Sequence, residues 1–134
     1  MTNNKVFLSH SSQNKDFVRE IFNSISNISY FDEASFSTGN EFITSIDKCL
    51  ENTSIFVFFA SHDSIKSVWC DYEFKQAILY KLQQKISKIL VYIIDQAVSL
   101  DNLPPFLSQA KITKTNNTIE IAQEILENWE DYNE

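Results

Sequence analysis

The chain has 134 residues, of which 43% are hydrophobic and 22% charged, a balance typical of one folded domain rather than of a disordered chain. Its formal net charge is -7 and Arg19 is its one arginine, which argues against nucleic acid and anionic membranes as partners, because both are negatively charged. With one glycine, the chain cannot contain the glycine-rich phosphate loops of the common dinucleotide and nucleotide sites.

The first half of the chain predicts strands and helices in alternation. Lys5–Ser9 is a short apolar run that predicts a strand. Gln13–Ser26 carries apolar residues at the spacing of an amphipathic helix, and Ile28–Phe31 predicts a second short strand. Asp32–Asn40 is a polar loop, and the capping-box spacing after it predicts a helix from about Glu41.

The second half continues the alternation with longer apolar runs. Ser54–Ala60 is apolar throughout, which is typical of a central parallel strand covered on both faces, and Lys88–Ile94 is a second run of this kind. Val68–Gln84 and Thr118–Tyr132 have the apolar spacing of helices. Ala110–Thr113 between them predicts a short edge strand.

This order of elements predicts the class of fold. Consecutive strand–helix–strand units require parallel pairing and right-handed crossovers. The expected fold is therefore α/β, a flavodoxin-like three-layer sandwich with a central parallel sheet of about five strands. Residues 1–134 contain no internal repeat or linker and are expected to form a single domain. Ligands of such sheets bind beyond the carboxyl ends of the strands, so we expect the functional site there.

The amino terminus and the cysteines bear on the cellular compartment. Met1–Lys5 is polar, and no apolar run approaches the ~18 residues that span a bilayer. Cys49 and Cys70 lie in helical patterns without the spacing of a zinc site, and are expected to be reduced thiols. We therefore expect a cytoplasmic protein that binds no metal and no membrane.

Three segments at the predicted strand ends resemble the motifs of Toll/interleukin-receptor (TIR) domains. Val6–Ser12 (VFLSHSS) resembles the first strand of the family and the loop after it. Phe31 and Asp32, followed by Gly39, resemble the second strand and the BB loop. Ser67–Glu73 (SVWCDYE) resembles the S-x-W-C-x-x-E segment that opens the helix after the third strand. The three segments occur in the family's order, each at the expected strand end.

The resemblance implies one of two functions. Many bacterial and plant TIR domains cleave NAD⁺ at the nicotinamide–ribose bond, and these enzymes need a glutamate in the helix after the third strand. Glu73 stands at that place. Many animal receptor and adaptor members instead work by self-association, without known chemistry.

The chemistry of the bond supports a role for Glu73, although the residues alone leave a second interpretation open. Breaking an N-glycosidic bond builds positive charge on the ribose, which an ionised carboxylate can stabilise. Nicotinamide leaves as a neutral ring and needs no acid, so one carboxylate can suffice. Alternatively, Glu73 is an exposed residue of the first helical turn, favoured there by the helix dipole.

Residues at the ends of the first three predicted strands are candidate substrate contacts. They are Ser9, His10, Ser11, Ser12, Phe31, Asp32, Phe36, Ser61 and Trp69. The loop that begins at Ser9 could hold the ribose or the pyrophosphate, or simply cap the next helix.

Trp69 could stack on a ligand ring or pack against the sheet. Phe36 is an apolar residue in a polar loop, which suits a ligand or partner contact as well as a loop anchor. His10 and its neighbouring serine are not expected to form a nucleophilic pair, because adjacent strand residues point to opposite faces.

The favoured function is an NAD⁺ glycohydrolase or ADP-ribosyl cyclase of the bacterial TIR type. It would release nicotinamide and ADP-ribose or a cyclic ADP-ribose, with Glu73 as the catalytic residue, NAD⁺ as substrate and no cofactor. The resemblance further implies anti-phage defence, self-association with other TIR domains, and a sensor or effector protein as partner.

Two other functions were weighed against this one. The alternative is a non-catalytic TIR scaffold for protein–protein interaction and signalling, but Glu73 is retained in its motif. A receiver-like domain would need acidic residues after the first and third strands, where the chain has Ser9-His10 and Ala60-Ser61.

Overall fold

A parallel sheet forms the centre of the fold. The computed structural model of the chain describes residues 5–31, 47–103 and 110–132. The sheet has the order β2-β1-β3-β4-β5, and each adjacent pair of strands is parallel. This confirms the predicted fold class. The strands are β1 (Lys5–Ser9), β2 (Ser29–Phe31), β3 (Thr53–Ala60), β4 (Lys88–Ile93) and β5 (Lys111–Lys114).

Helices follow the strands along the chain. They are α1 (Lys15–Ser24), α2 (described as helical over 47–51), α3 (Val68–Leu82) and α4 (Thr118–Tyr132). The last helix has the predicted bounds. The predicted loop 32–40 and the predicted helix start near residue 41 lie outside the described residues. No helix within the described ranges is both long enough and apolar enough to cross a membrane.

The first helix is shorter than the apolar spacing predicted. Ser12–Asn14 forms a 3₁₀ turn before α1, and Ser26–Ile28 forms another after it. At the second boundary the backbone N–H of Ile25 bonds to the carbonyl of Phe22, so the chain tightens from α-helical to i→i−3 bonding. The apolar pattern runs on because Ile25 and Ile28 are buried outside the helix.

The two faces of β3 explain why its sequence is apolar throughout. All eight of its residues are buried. Ile55, Val57 and Phe59 belong to the hydrophobic cluster that contains residues of α1 and α4. Phe56 and Phe58 belong to the opposite cluster, which contains residues of α2 and α3. A strand covered by helices on both faces has no polar side to show, as expected for a parallel sheet.

Aromatic contacts set α3 against the centre of the sheet. The Phe7 and Phe56 rings stack with centroids 5.4 Å apart. Phe74 of α3 meets Phe56 and Phe58 edge-on, at 5.6 and 5.3 Å. These edge-to-face geometries are favourable for aromatic pairs. They fix the second turn of α3 over the neighbouring strands β1 and β3.

The order of the strands creates a switch point between β1 and β3. The chain passes from β1 outward to β2 on one side, and from β3 outward to β4 on the other. Helices after the two strands therefore leave on opposite faces, which opens a crevice at their carboxyl ends. This is the position where a parallel sheet of this order binds ligands.

A polar network anchors α4 to the far side of the sheet. The Tyr92 hydroxyl of β4 donates to Glu124 Oε1 at 2.5 Å, and Lys111 Nζ of β5 lies 3.0 Å from Glu124 Oε2. Burial, and then the bond to Glu124, raises the pKa of Tyr92. Burial also acts to raise the pKa of Glu124, but the bonds from Tyr92 and Lys111 outweigh it and hold that pKa below its ordinary value.

The stacked aromatic centre gives a stability prediction. Phe56→Ala should lower the free energy of unfolding by about 3–5 kcal/mol, because it removes a fully buried ring and leaves a cavity. Leu82→Ala is the control, since this leucine is 72% exposed, and should change stability by less than about 0.5 kcal/mol. Urea unfolding monitored by circular dichroism measures both. Equal losses in the two variants would contradict this account of the core.

The anchor of α4 gives a pH prediction. The lowered pKa of Glu124 means that its contribution to stability is complete above its unfolded value, about 4.3, and is lost as the pH falls through the folded value. Tyr92→Phe should therefore destabilise the domain by about 1–3 kcal/mol at pH 7, and by less at pH 3.

The control for this pH dependence is Tyr30→Phe, which removes the hydroxyl of a partly buried tyrosine on β2 whose neighbours Asn52 and Cys49 do not change charge between pH 3 and pH 7. Its effect on unfolding should not vary with pH in this range. A penalty for Tyr92→Phe that is equal at pH 7 and pH 3 would show that the hydroxyl does not stabilise an ionised Glu124.

Candidate functional site

Glu73 lies on the buried face of α3. The helix begins at Val68, after Ser67, whose Oγ accepts a hydrogen bond from the Cys70 backbone N–H at 3.2 Å. Glu73 is therefore in the second turn, on the same stripe as the buried Cys70 and Ala77. Its residue is 1% exposed. The interpretation of Glu73 as an exposed first-turn residue is wrong, because Glu73 is the sixth residue of the helix and its side chain is turned toward the sheet.

The carboxylate of Glu73 is held by the last residue of β1. The Ser9 hydroxyl donates to Glu73 Oε1 at 2.5 Å, a contact between residues 64 positions apart. Both residues are buried, Ser9 completely. A buried carboxylate is expensive unless it is hydrogen-bonded, and bonds to an ionised oxygen are short and strong. The bond thus joins the carboxyl end of β1 to α3 at the switch point.

The loop after Ser9 is organised by its own hydrogen bonds. His10 Nδ1 lies 2.8 Å from the Ser11 carbonyl, and because a carbonyl oxygen only accepts, Nδ1 carries the proton. The Ser11 hydroxyl accepts from the Gln13 N–H at 3.1 Å and caps the following 3₁₀ turn. Ser12 is exposed at the start of that turn. The capping interpretation is confirmed for Ser11, while substrate contacts by this loop stay a prediction.

Ser61 connects the loop after β3 to the start of α1. Its hydroxyl donates to Asn14 Oδ1 at 2.6 Å and accepts from the Ser64 N–H at 3.1 Å. The Ser64 hydroxyl donates to the Phe59 carbonyl at 2.7 Å and accepts from the Ser61 N–H at 2.8 Å. These hydrogen bonds span the switch point and hold the loop after β1 against the loop after β3. Direct contact between Ser61 and a substrate stays a prediction.

Asn14 and Ser64, which the sequence analysis did not single out, complete this hydrogen-bond network. Asparagine just before a helix is an expected cap. The Asn14 side chain nevertheless makes no described cap bond to α1 and instead meets Ser61. Finding that pair required the order of the strands, which no local pattern encodes.

Several predicted site residues lie wholly or partly outside the described part of the chain. Asp32 and Phe36 fall in the range 32–46. Phe31 ends β2, where its backbone pairs with Leu8 of β1, and Trp69 is in the first turn of α3. The side chains of Phe31 and Trp69 are not among the described parts, so the proposed stacking of Trp69 stays a prediction.

Two cavities among the described residues lie away from Glu73. One, of about 360 Å³, is lined by Asp95, Lys114 and neighbouring residues, and another, of about 430 Å³, by Leu100, Ile112 and their neighbours. Both are beyond β4 and β5, whereas Glu73 is closed off from solvent. We choose Glu73 as the candidate site because it is a buried, hydrogen-bonded carboxylate at the switch point, and not because of a cavity volume.

The carboxylate of Asp95, which lines one of these cavities, accepts two backbone hydrogen bonds. The N–H of His62 donates to Asp95 Oδ2 at 3.0 Å and that of Ala97 to Oδ1 at 2.9 Å, and these bonds lower the pKa of Asp95. His62 is exposed, and its Nε2 lies 2.9 Å from Lys66 Nζ. Among the described residues, no group of three or more His, Cys, Asp or Glu side chains is placed to hold a metal ion.

Comparisons with known proteins agree with the fold and the motifs. A family model described as "TIR domain" matches residues 6–131. The TIR domain of the Toll-related receptor TRR-2 from Hydra magnipapillata superposes with a TM-score of 0.68 at 14% identity, covering 97% of this chain and 99% of that one. The chain therefore belongs to the TIR domain family, as its motifs predicted.

A relative by sequence has a name that describes an activity. The chain is 30% identical over 128 residues to "Probable 2' cyclic ADP-D-ribose synthase TcpO" of Methanobrevibacter olleyae. The match covers 91% of this chain but 37% of that protein. The chain thus spans little more than a third of the length of that relative.

The cap of α3 can be tested on its own. Ser67→Ala should lower the free energy of unfolding by about 1 kcal/mol, because the Cys70 N–H loses its acceptor. Ser67→Asp keeps a capping oxygen and should retain parental stability, which chemical denaturation would measure. If both variants lost the same stability, capping would not be the role of Ser67.

Proposed function

We propose that this TIR domain cleaves NAD⁺ at the bond between nicotinamide and ribose, with Glu73 as the catalytic residue. The observation that carries the proposal is a buried glutamate, hydrogen-bonded to Ser9, at the switch point of the sheet. The likeness to a relative named as a 2' cyclic ADP-D-ribose synthase supports the same chemistry. Strongly buried carboxylates in such positions are functional candidates in their own right.

Glu73 would act on the charge that develops during bond breaking. In NAD⁺ the nicotinamide nitrogen is cationic, and heterolysis returns both bonding electrons to it, so nicotinamide leaves neutral. Positive charge then spreads over the ribose ring oxygen and C1', where an ionised carboxylate stabilises it. No proton donor is needed for this leaving group. A single carboxylate held in a site shielded from water is therefore chemically sufficient.

The fate of the ribosyl cation determines the product. If water attacks C1' and loses a proton, the product is ADP-ribose. If a hydroxyl of the same molecule attacks and loses its proton, the product is a cyclic ADP-ribose. The name of the relative favours the cyclic product, so a product assay for this chain must resolve the two.

The burial of Glu73 bears on how the enzyme is switched on. A residue that is 1% exposed cannot touch a ribose until the atoms that cover it move. We propose that self-association with other copies of the domain supplies that rearrangement, as the family resemblance implies. Activity would then rise with protein concentration. Cytoplasmic anti-phage defence, with a sensor or effector protein as partner, is the proposed setting.

Nicotinamide release from NAD⁺ tests the proposal directly. We expect release by the parent chain, with a rate per subunit that increases with protein concentration. Glu73→Gln should lower the rate by at least about 100-fold, because it removes the charge that stabilises the cation. The glutamine side chain retains an oxygen that can accept the Ser9 bond, so the fold should be preserved. Chromatography of the products distinguishes ADP-ribose from its cyclic forms.

Asp71→Asn is the matched control for this experiment. It removes a carboxylate two positions away on the same helix, but one that is exposed and paired with Lys75 at 3.0 Å. Its rate should stay within about twofold of the parent. Equal activity of the parent and Glu73→Gln would remove Glu73 from the mechanism. No release at concentrations where light scattering shows assembly would favour the non-catalytic scaffold.

A further inference from the structure

We infer that Ser9 is a positioning residue, which holds the Glu73 carboxylate in the orientation that bond cleavage requires. The inference rests on the proposed function and adds a residue role to it. Its basis is the 2.5 Å hydrogen bond from the Ser9 hydroxyl to Glu73 Oε1, between two residues that are at most 1% exposed.

Ser9 is itself rigidly placed. It is the last residue of β1, which pairs with β2 on one side and β3 on the other. Leu8 pairs with Phe31 and Ser9 with Phe58, so the end of the strand is fixed from both directions. Serine has a single side-chain torsion before its oxygen. The donor is therefore much more constrained than the acceptor, because glutamate has three torsions to order.

The hydroxyl of Ser9 is committed to Glu73. A serine hydroxyl has one proton to donate, and here that proton is directed at Oε1. Ser9 therefore cannot donate to a substrate without giving up the carboxylate. The oxygen of the hydroxyl can still accept a hydrogen bond from a substrate, but the loss of its proton acts on Glu73, so a change at Ser9 should lower the rate more than the affinity for NAD⁺.

The bond also favours the ionised form of the carboxylate. Hydrogen bonding to a charged group stabilises that charge, whereas burial opposes it. Without the Ser9 hydroxyl, the carboxylate would become protonated at a higher pH as the pH falls, so the acidic limb of the activity profile would move to higher pH.

The test compares Ser9→Ala, Ser9→Thr and the parent in nicotinamide release. Ser9→Ala should lower kcat by about 10- to 100-fold with little change in KM, because the carboxylate loses its fixed orientation. The acidic limb of its pH profile should move to higher pH, because the ionised carboxylate loses a hydrogen bond. Ser9→Thr restores the hydroxyl and should recover most of the rate and the parental limb, once circular dichroism shows it folded.

Ser29→Ala is the matched control. Ser29 is a buried strand serine whose hydroxyl donates to the Ile25 carbonyl at 2.7 Å, at the amino end of β2 and away from Glu73. It should keep the parental pH profile. A rise in KM with an unmoved acidic limb in Ser9→Ala would overturn the inference and make Ser9 a substrate contact. Equal effects of the alanine and threonine variants would overturn it too.

A double-mutant cycle separates this inference from the proposed function. Ser9→Ala, Glu73→Ala and the combined variant are unfolded in urea, a readout that needs no activity. The two substitutions should be coupled by about 10-fold in the unfolding equilibrium constant, the value expected for a hydrogen bond to a charged group. Additive effects would overturn the inference even in an active protein. If the parent released no nicotinamide, the catalytic role would fall with the proposed function, and the cycle would still decide whether the bond exists.

Discussion

The need to cover β3 on both faces governs the architecture. Its eight residues are all buried, so neither face can be left to water, and one helical layer must lie on each side. The hydrophobic clusters that contain Ile55 and Phe56 cover the two faces of the strand. With helices on both faces of the sheet, the chain winds outward in opposite directions from β1 and from β3. A crevice forms between the carboxyl ends of these two strands. The place of the site is thus a consequence of covering the core.

Within that architecture, the catalytic role proposed for Glu73 conflicts with the packing of the core. It occupies a site on α3 that the packing stripe of Cys70 and Ala77 would otherwise fill with an apolar side chain. A carboxylate there is costly, and the Ser9 hydroxyl offsets part of the cost. Local departures from good packing rules are expected at functional sites. The fold tolerates this one because Phe74 of α3 packs edge-on against Phe56 and Phe58 of β3 and holds the helix independently of Glu73.

The sequence predicted the elements better than their contacts. Continuous apolar runs and helical spacing are local signals, and they placed β1, β3 and α4 within about a residue. The burial of Glu73 had a signal as well, since apolar residues at positions 70, 74 and 77 put it on their stripe. The bonds from Ser9 to Glu73 and from Ser61 to Asn14 had none. They join residues that are 64 and 47 positions apart in sequence. The order of the strands decides which of these residues meet.

The edge strand β5 has a consequence for solubility. It is the last strand of the sheet, and in parallel sheets an outermost strand leaves backbone N–H and C=O groups available to another chain. Its sequence is KITK, with Lys111 and Lys114 exposed at its ends. Lysines on an edge strand disfavour pairing with a second copy edge to edge, and Lys111 does so while it also pairs with Glu124. The two lysines therefore act as gatekeepers against aggregation, in a chain whose central strand is one long apolar segment that is hazardous whenever it is unfolded.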